Sequence, residues 1–117
     1  MEKFIISRDG LPPISFLGEC IGTGSNHSHQ GPRQNRWTVV KIYKTKGGHY
    51  VAYVHYFTCY EGESDTRRAV ASATAGELID WLRDDNAGTL GTVSQEAVEA
   101  AVKVDPKFSE AWVETVE

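Results

Sequence analysis

His27-Ser28-His29 places two imidazoles at i and i+2, where they could share a metal ion if His49 or His55 converged on them. With a carboxylate such as Glu63, His27 and His29 would form a small metal-dependent or hydrolytic centre. The segment lacks the Cys-x-x-Cys or His-x-x-x-His spacing of a structural zinc site, so solvated loop histidines are the expectation, with no metal and no cofactor. Gly22-Thr23-Gly24-Ser25 has the look of a phosphate cradle, but a cradle needs a helix N-terminus directly behind it. Asn26 to His29 and then Gly31-Pro32 follow instead, so no nucleotide site is expected. Glu61, Glu63 and Asp65 could flank a sugar or a metal as paired carboxylates. Gly62 and Ser64 between them read as a solvated turn. No serine sits in a nucleophile elbow, and the expected catalytic set is empty.

A second constellation mixes charge with rings: Arg33, Arg36, Lys41, Lys44 and Lys46 with Trp37, Tyr43 and Tyr50. Such mixtures can hold single-stranded nucleic acid by attracting its backbone and stacking its bases. The net charge of −4 argues against it, since nucleic-acid binders carry a basic footprint. Arg and Trp also dominate protein interfaces. The expected binding set is therefore Arg33, Arg36, Trp37, Lys46 and Tyr50, on a loop from Gly22 to Arg36 and the hairpin tip beside it. Charge is uneven along the chain. Residues 1–60 carry seven Lys/Arg against three Asp/Glu, and residues 61–117 carry five against thirteen. Glu96, Glu99, Glu110 and Glu114 thus offer a rival, acidic contact face.

The elements that must position these groups are a sheet followed by helices. Trp37–Lys44 and Tyr50–Tyr60 are rich in β-branched and aromatic residues and flank Lys46-Gly47-Gly48-His49. The glycine pair predicts positive φ and a tight hairpin. In the second arm Tyr50, Ala52 and Val54 share one face, and Val51, Tyr53, His55 and Phe57 the other. Ile14–Ile21 predicts another strand, led in by an extended Leu11-Pro12-Pro13. Thr66–Ala73 predicts a further strand, and Phe4–Ile6 a short edge strand or a frayed end. Gly22–Arg36 has no apolar residue and predicts a long mobile loop.

Three helix starts follow. Thr74-Ala75-Gly76-Glu77 and Thr92-Val93-Ser94-Gln95 fit capping boxes, and Asp105-Pro106 is a capping side chain followed by proline. Leu78, Ile79, Trp81 and Leu82, then Ala97, Val98, Ala101 and Val102, then Phe108, Ala111, Trp112 and Val116 supply apolar stripes. The expectation is one α+β domain over 1–117: a three- or four-stranded antiparallel sheet over 14–73 with a mobile loop at 22–36, and two or three helices over 74–117 packed on one face.

Length allows one core. No apolar run approaches the roughly 20 residues that cross a bilayer, so no membrane contact is expected. The start, Met1 to Ser7, has no signal-peptide core, and a cytoplasmic location follows as the expectation. Cys20 and Cys59 fall in predicted strands and are expected as buried thiols in a reducing compartment. A free edge strand would support a homodimer.

Phe16-x-Gly18-Glu19-x-Ile21, Arg36-Trp37-Thr38, Tyr43-x-Thr45-x-Gly47-Gly48-x-Tyr50-Val51, Gly62-Glu63-x-Asp65 and Trp81-Leu82 together resemble a group of small uncharacterised bacterial proteins carried by plasmids, phages and other mobile elements. The likeness runs over roughly residues 14–112. The group has no assigned activity to carry over. It implies a prokaryotic, intracellular accessory protein, a non-catalytic protein-binding module of a mobile element that is an inhibitor of a host defence complex or another binding factor. The implied partner is another protein, such as a host nucleoprotein complex.

Overall fold

The computed structural model describes residues 1–27, 35–84 and 88–117. Arg33 and His29 lie outside the described residues. The chain is α+β, and its order is β1 (Glu2–Arg8), β2 (Leu11–Ser25), β3 (Arg36–Thr45), β4 (Tyr50–Thr58), β5 (Thr66–Ser72), α1 (Ala75–Asp84), α2 (Thr92–Val104) and α3 (Pro106–Ala111). Among the described residues five strands form one antiparallel meander in the order β1-β2-β3-β4-β5. Phe4–Ile6 therefore belongs to a full strand, and three or four strands was an undercount.

The hairpin between β3 and β4 stands as expected, in register from Arg36↔Thr58 to Lys44↔Tyr50. Its turn is closed by Thr45 N donating to His49 O at 2.9 Å and Gly48 N donating to Thr45 O at 3.0 Å. Only Gly48 needs the left-handed region, at φ 82°. Alternation sorts β4 as the pattern requires. Tyr50, Ala52 and Val54 face the helices with Val40 and Ile42, and Val51 faces away with Tyr43 and Ala69.

The largest departure concerns Gly22–Arg36. β2 continues to Ser25, paired with β3 as far as Ser25↔Val39. A bulge makes this useful: Cys20 pairs with Tyr43, but Gly22 pairs with Ile42, so Ile21 is the extra residue. Residues after the bulge switch faces, and Gly22 and Gly24 turn toward α2. A Cβ on Gly22 would lie 2.2 Å from Ala97 O, and one on Gly24 2.0 Å from Val93 O. The helix backbone rests directly on the strand backbone, and only glycine leaves room for it. An absence of apolar side chains here is a packing device.

Above this seat, Ala97, Val98 and Ala101 of α2 meet Leu78, Ile79 and Leu82 of α1 and Phe108 of α3 in the main core. Leu78, Ile79 and Leu82 are fully buried, worth about 1.5–3 kcal/mol each. Trp81 and Trp112 pack at its margin; Val116 does not join them, because α3 ends at Ala111 and Val116 is exposed beyond it.

Helix starts divide. Thr74 Oγ1 accepts from Glu77 N at 3.1 Å, and Asp105 caps α3 by accepting from Lys107 N at 2.9 Å. The second proposed box is not one: Thr92 is already helical, and Gly91 is the cap with no side-chain bond.

The far face has its own cluster. Phe4, Phe16 and Tyr43 meet ring to ring at 4.7–5.4 Å, over Ile6, Val51 and Ala69. Here the β1–β2 hairpin curls the sheet toward its other edge. Asp9 N donates to Arg67 O at 2.9 Å, and Arg67 N donates to Asp9 Oδ2 at 2.8 Å. Both cysteines are free and exposed, against expectation: Cys59 lies just past the end of β4, and Cys20 sits at the bulge. Among the described residues no helix is long and apolar enough to cross a membrane.

Candidate interaction surface at the Trp37 end of the sheet

Arg36 and Trp37 open β3, and the antiparallel register sets them against Thr58 and Phe57, which close β4. Strand alternation then sends Trp37 and Arg36 to opposite faces. On the face away from the helices the rings form a row. Trp37 stacks on Phe57 with centroids 5.1 Å apart and planes within 8°, and Phe57 stacks on His55 at 3.6 Å and 13°. His27 also packs against Trp37, tilted, at 4.2 Å.

His55 is nearly enclosed, at 9% exposure. Its Nε2 lies 3.0 Å from Asp65 Oδ2, and its Nδ1 lies 3.0 Å from the Tyr53 hydroxyl. The Asp65 carboxyl is held below its usual range by the Thr58 amide, by His55 and by the nearby Arg67 charge. It is therefore an acceptor toward Nε2, and the other ring nitrogen, Nδ1, is bonded to the Tyr53 hydroxyl. Burial raises the Tyr53 phenol, with Arg67 opposing. Both nitrogens of His55 are committed, so this triad holds the sheet end together and offers no base to a substrate.

On the other face, Arg36 makes a two-pronged contact with Glu63: Nε to Oε1 at 3.0 Å and Nη2 to Oε2 at 2.6 Å. Thr58 Oγ1 also donates to Glu63 Oε1, at 2.6 Å. The Arg36 and Thr58 hydrogen bonds hold the Glu63 carboxyl down at about 2. The Arg36 guanidinium lies 4.1 Å above the Tyr60 ring, a cation–π arrangement. Arg36 and Tyr60 stay open to solvent, the Arg36 side chain at 50% and Tyr60 at 45%. The carboxylates expected on a solvated turn are thus tied down, Glu63 by Arg36 and Asp65 by Thr58 and His55.

The expected binding residues do not assemble as one surface. Arg36 and Trp37 share the open end of the sheet. Lys46 is exposed at the opposite tip, about 30 Å away along β3 at roughly 3.3 Å per residue. Tyr50 is 1% exposed and belongs to the core, a correction to its place in that set. Its hydroxyl donates to Asp105 Oδ2 at 2.7 Å, and Lys44 Nζ stands 3.5 Å from the same oxygen. Among the described residues no group of three or more His, Cys, Asp or Glu stands close enough to hold a metal. Sequence reasoning missed Phe57, Tyr60, Glu63, Asp65 and His55 as members of the surface. Alternation placed His55 and Phe57 on one face, but nothing in the sequence pairs Arg36 with Glu63.

The chain matches no protein-family model, no curated protein and no solved structure.

Proposed function

We propose that this chain is a non-catalytic protein-binding module that engages its partner through Arg36, Tyr60 and the rim of the Trp37–Phe57 stack. The observation that carries this reading is the Arg36–Glu63–Tyr60 clamp. Residue types that anchor interfaces stand half-exposed there, already fixed in place, and pre-fixed side chains lose less entropy when a partner arrives. The resemblance to accessory proteins of mobile elements makes a host defence complex, a nucleoprotein assembly, the partner to test first.

The alternatives fit the geometry less well. Bases stack on open ring faces, and Trp37 is already engaged by the stacked Phe57 and by His27. A hydrolytic centre on His27 and Glu63 needs a free carboxylate, and Glu63 is engaged by Arg36 and Thr58.

Capture from a native-host lysate tests the proposal. Arg36→Ala/Tyr60→Ala should lose the partner that the wild-type chain retains, with the melting temperature nearly unchanged because neither residue enters the core. Charge reversal at Glu96, Glu99, Glu110 and Glu114 should leave capture intact. The opposite pattern, capture lost on helix reversal and kept in the double variant, overturns the assignment.

A further inference from the structure

We infer that the partner lays an extended segment along the far face of the sheet, with a carboxylate side chain on Lys41 and an apolar side chain on Val39. This rests on the reading of the Trp37 end as the contact surface, and it names what the partner brings there. Strand alternation puts Trp37, Val39, Lys41 and Tyr43 on one face of β3. The β1–β2 hairpin covers one end of that face: Phe4 and Phe16 lie on Tyr43, in a cluster that takes in Val51, Tyr53 and Ala69. Val39 and Lys41 are half-buried, and Val39 joins neither apolar cluster among the described residues. Past the bulge in β2, Thr23 stands opposite Lys41 and Ser25 opposite Val39. These four residues form a strip of sheet that leads to the Trp37–Phe57 stack.

Charge decides what lies on the strip. Among the described residues the Lys41 ammonium is in no ion pair. The carboxylates of this side of the sheet are committed elsewhere: Asp65 accepts from the Thr58 amide beside His55, and Asp9 accepts from the Arg67 amide. Glu2 raises the Tyr43 phenol but is not paired with Lys41. An ammonium on a half-buried sheet face attracts an opposite charge more strongly than one in open water. The count of charges then selects the anion. A nucleic-acid strand brings a phosphate with every nucleotide, whereas the strip offers a single cation, which matches one acidic side chain. The spacing agrees. Alternate residues of an extended chain are about 6.6 Å apart, so an acid and an apolar residue two positions along meet Lys41 and Val39 together. The next alternate side chain reaches the edge of Trp37.

The probe is the acetylated, amidated peptide Thr-Val-Thr-Glu-Thr-Val-Thr, whose symmetry lets it lie in either direction. Titrated into the isotopically labelled full chain, it should shift the amide resonances of Thr23, Ser25, Val39 and Lys41 to saturation. Replacing its Glu by Gln should weaken binding at least about threefold, and more at low salt. Lys41→Met keeps the apolar stem and loses the charge. It should weaken the Glu peptide by the same factor and bind the two peptides alike. Circular dichroism melts confirm that this variant is folded. Arg36→Ala/Tyr60→Ala alters the opposite face and should bind the peptide as the wild type does. Its loss of host-partner capture and a loss of the peptide site are therefore separate results. Three outcomes each overturn the inference: no shifts on the strip, equal binding of the Glu and Gln peptides by the wild type, or tighter binding of a heptathymidylate than of the peptide.

Discussion

Gly24→Ala should destabilise the fold by about 3 kcal/mol or more, at the upper end of what overpacking costs, although it adds a single methyl group. The new carbon would stand 2.0 Å from Val93 O, and a helix carbonyl has no rotamer to escape into. α2 must lift off β2, and the burial of Ala97, Val98 and Ala101 goes with it. Gly22→Ala, at 2.2 Å from Ala97 O, should act in the same way. The pair should be clearly less than additive, because a helix already displaced by one methyl meets the second at lower cost. Gly47→Ala is the control: its methyl would meet only Thr45 Oγ1 at 3.9 Å, and its φ is not left-handed. Urea unfolding of the four variants beside the wild type checks the set. Equal, small effects at all three glycines would mean that α2 does not rest on the strand.

Asp105→Ala should cost about 2–4 kcal/mol, the sum of a lost helix cap and the loss of a charged acceptor from a buried network. Asp105 is 3% exposed. It accepts from the Tyr50 hydroxyl and the Lys107 amide, and it faces the Lys44 ammonium. Removing it orphans the Tyr50 hydroxyl inside the core. Tyr50→Phe should cost less, about 1 kcal/mol, because Asp105 keeps its other partners.

The same carboxylate sets a pH dependence. Burial pushes its pKa up, but the bonds from Tyr50 and the Lys107 amide and the charge of Lys44 outweigh that and hold it below the ordinary value. A group depressed in the folded state contributes its stability above the unfolded value of roughly 4 and loses it as pH falls through the folded value. Wild-type stability should therefore fall below about pH 4. Asp105→Asn, less stable at neutral pH, should show a shallower fall. Parallel acid profiles for the two proteins would remove Asp105 from this role.

What the sequence made legible was local. The hairpin follows from two β-branched runs around a glycine, the third helix from Asp105-Pro106, and the first from the reach of Thr74 to the Glu77 amide. None of these needs a distant residue. The glycine strand failed for the opposite reason. Gly22 and Gly24 carry no periodicity of their own, and their purpose lies in a helix some seventy residues later. The available signal was joint: glycines at i and i+2, on one strand face, matched by Ala97 and Ala101 at i and i+4 on one helix face. Tyr50 joins the expected binding set because it is a ring among the cations of the hairpin, whereas its hydroxyl partner, Asp105, is fifty-five positions away. Thr92 has the right side chain for a cap but lies one residue inside the helix, a shift that no capping pattern resolves. At the candidate surface Arg36 and Trp37 were readable as residue types, while the Glu63 and Tyr60 that fix Arg36 come from a turn that composition alone makes look solvated.

Amide hydrogen exchange of the free chain, read residue by residue, tests most directly whether the Trp37 end is ordered before any partner binds. The structure predicts slow exchange at Asn26, which donates to Thr38 O, at Thr38, which donates to Asn26 Oδ1, and at Thr58, which donates to Asp65 Oδ1. Protection should extend back through Gly22–Ser25. Exchange at these amides as fast as in an unfolded chain, with β3 and β4 protected elsewhere, would contradict a preformed surface.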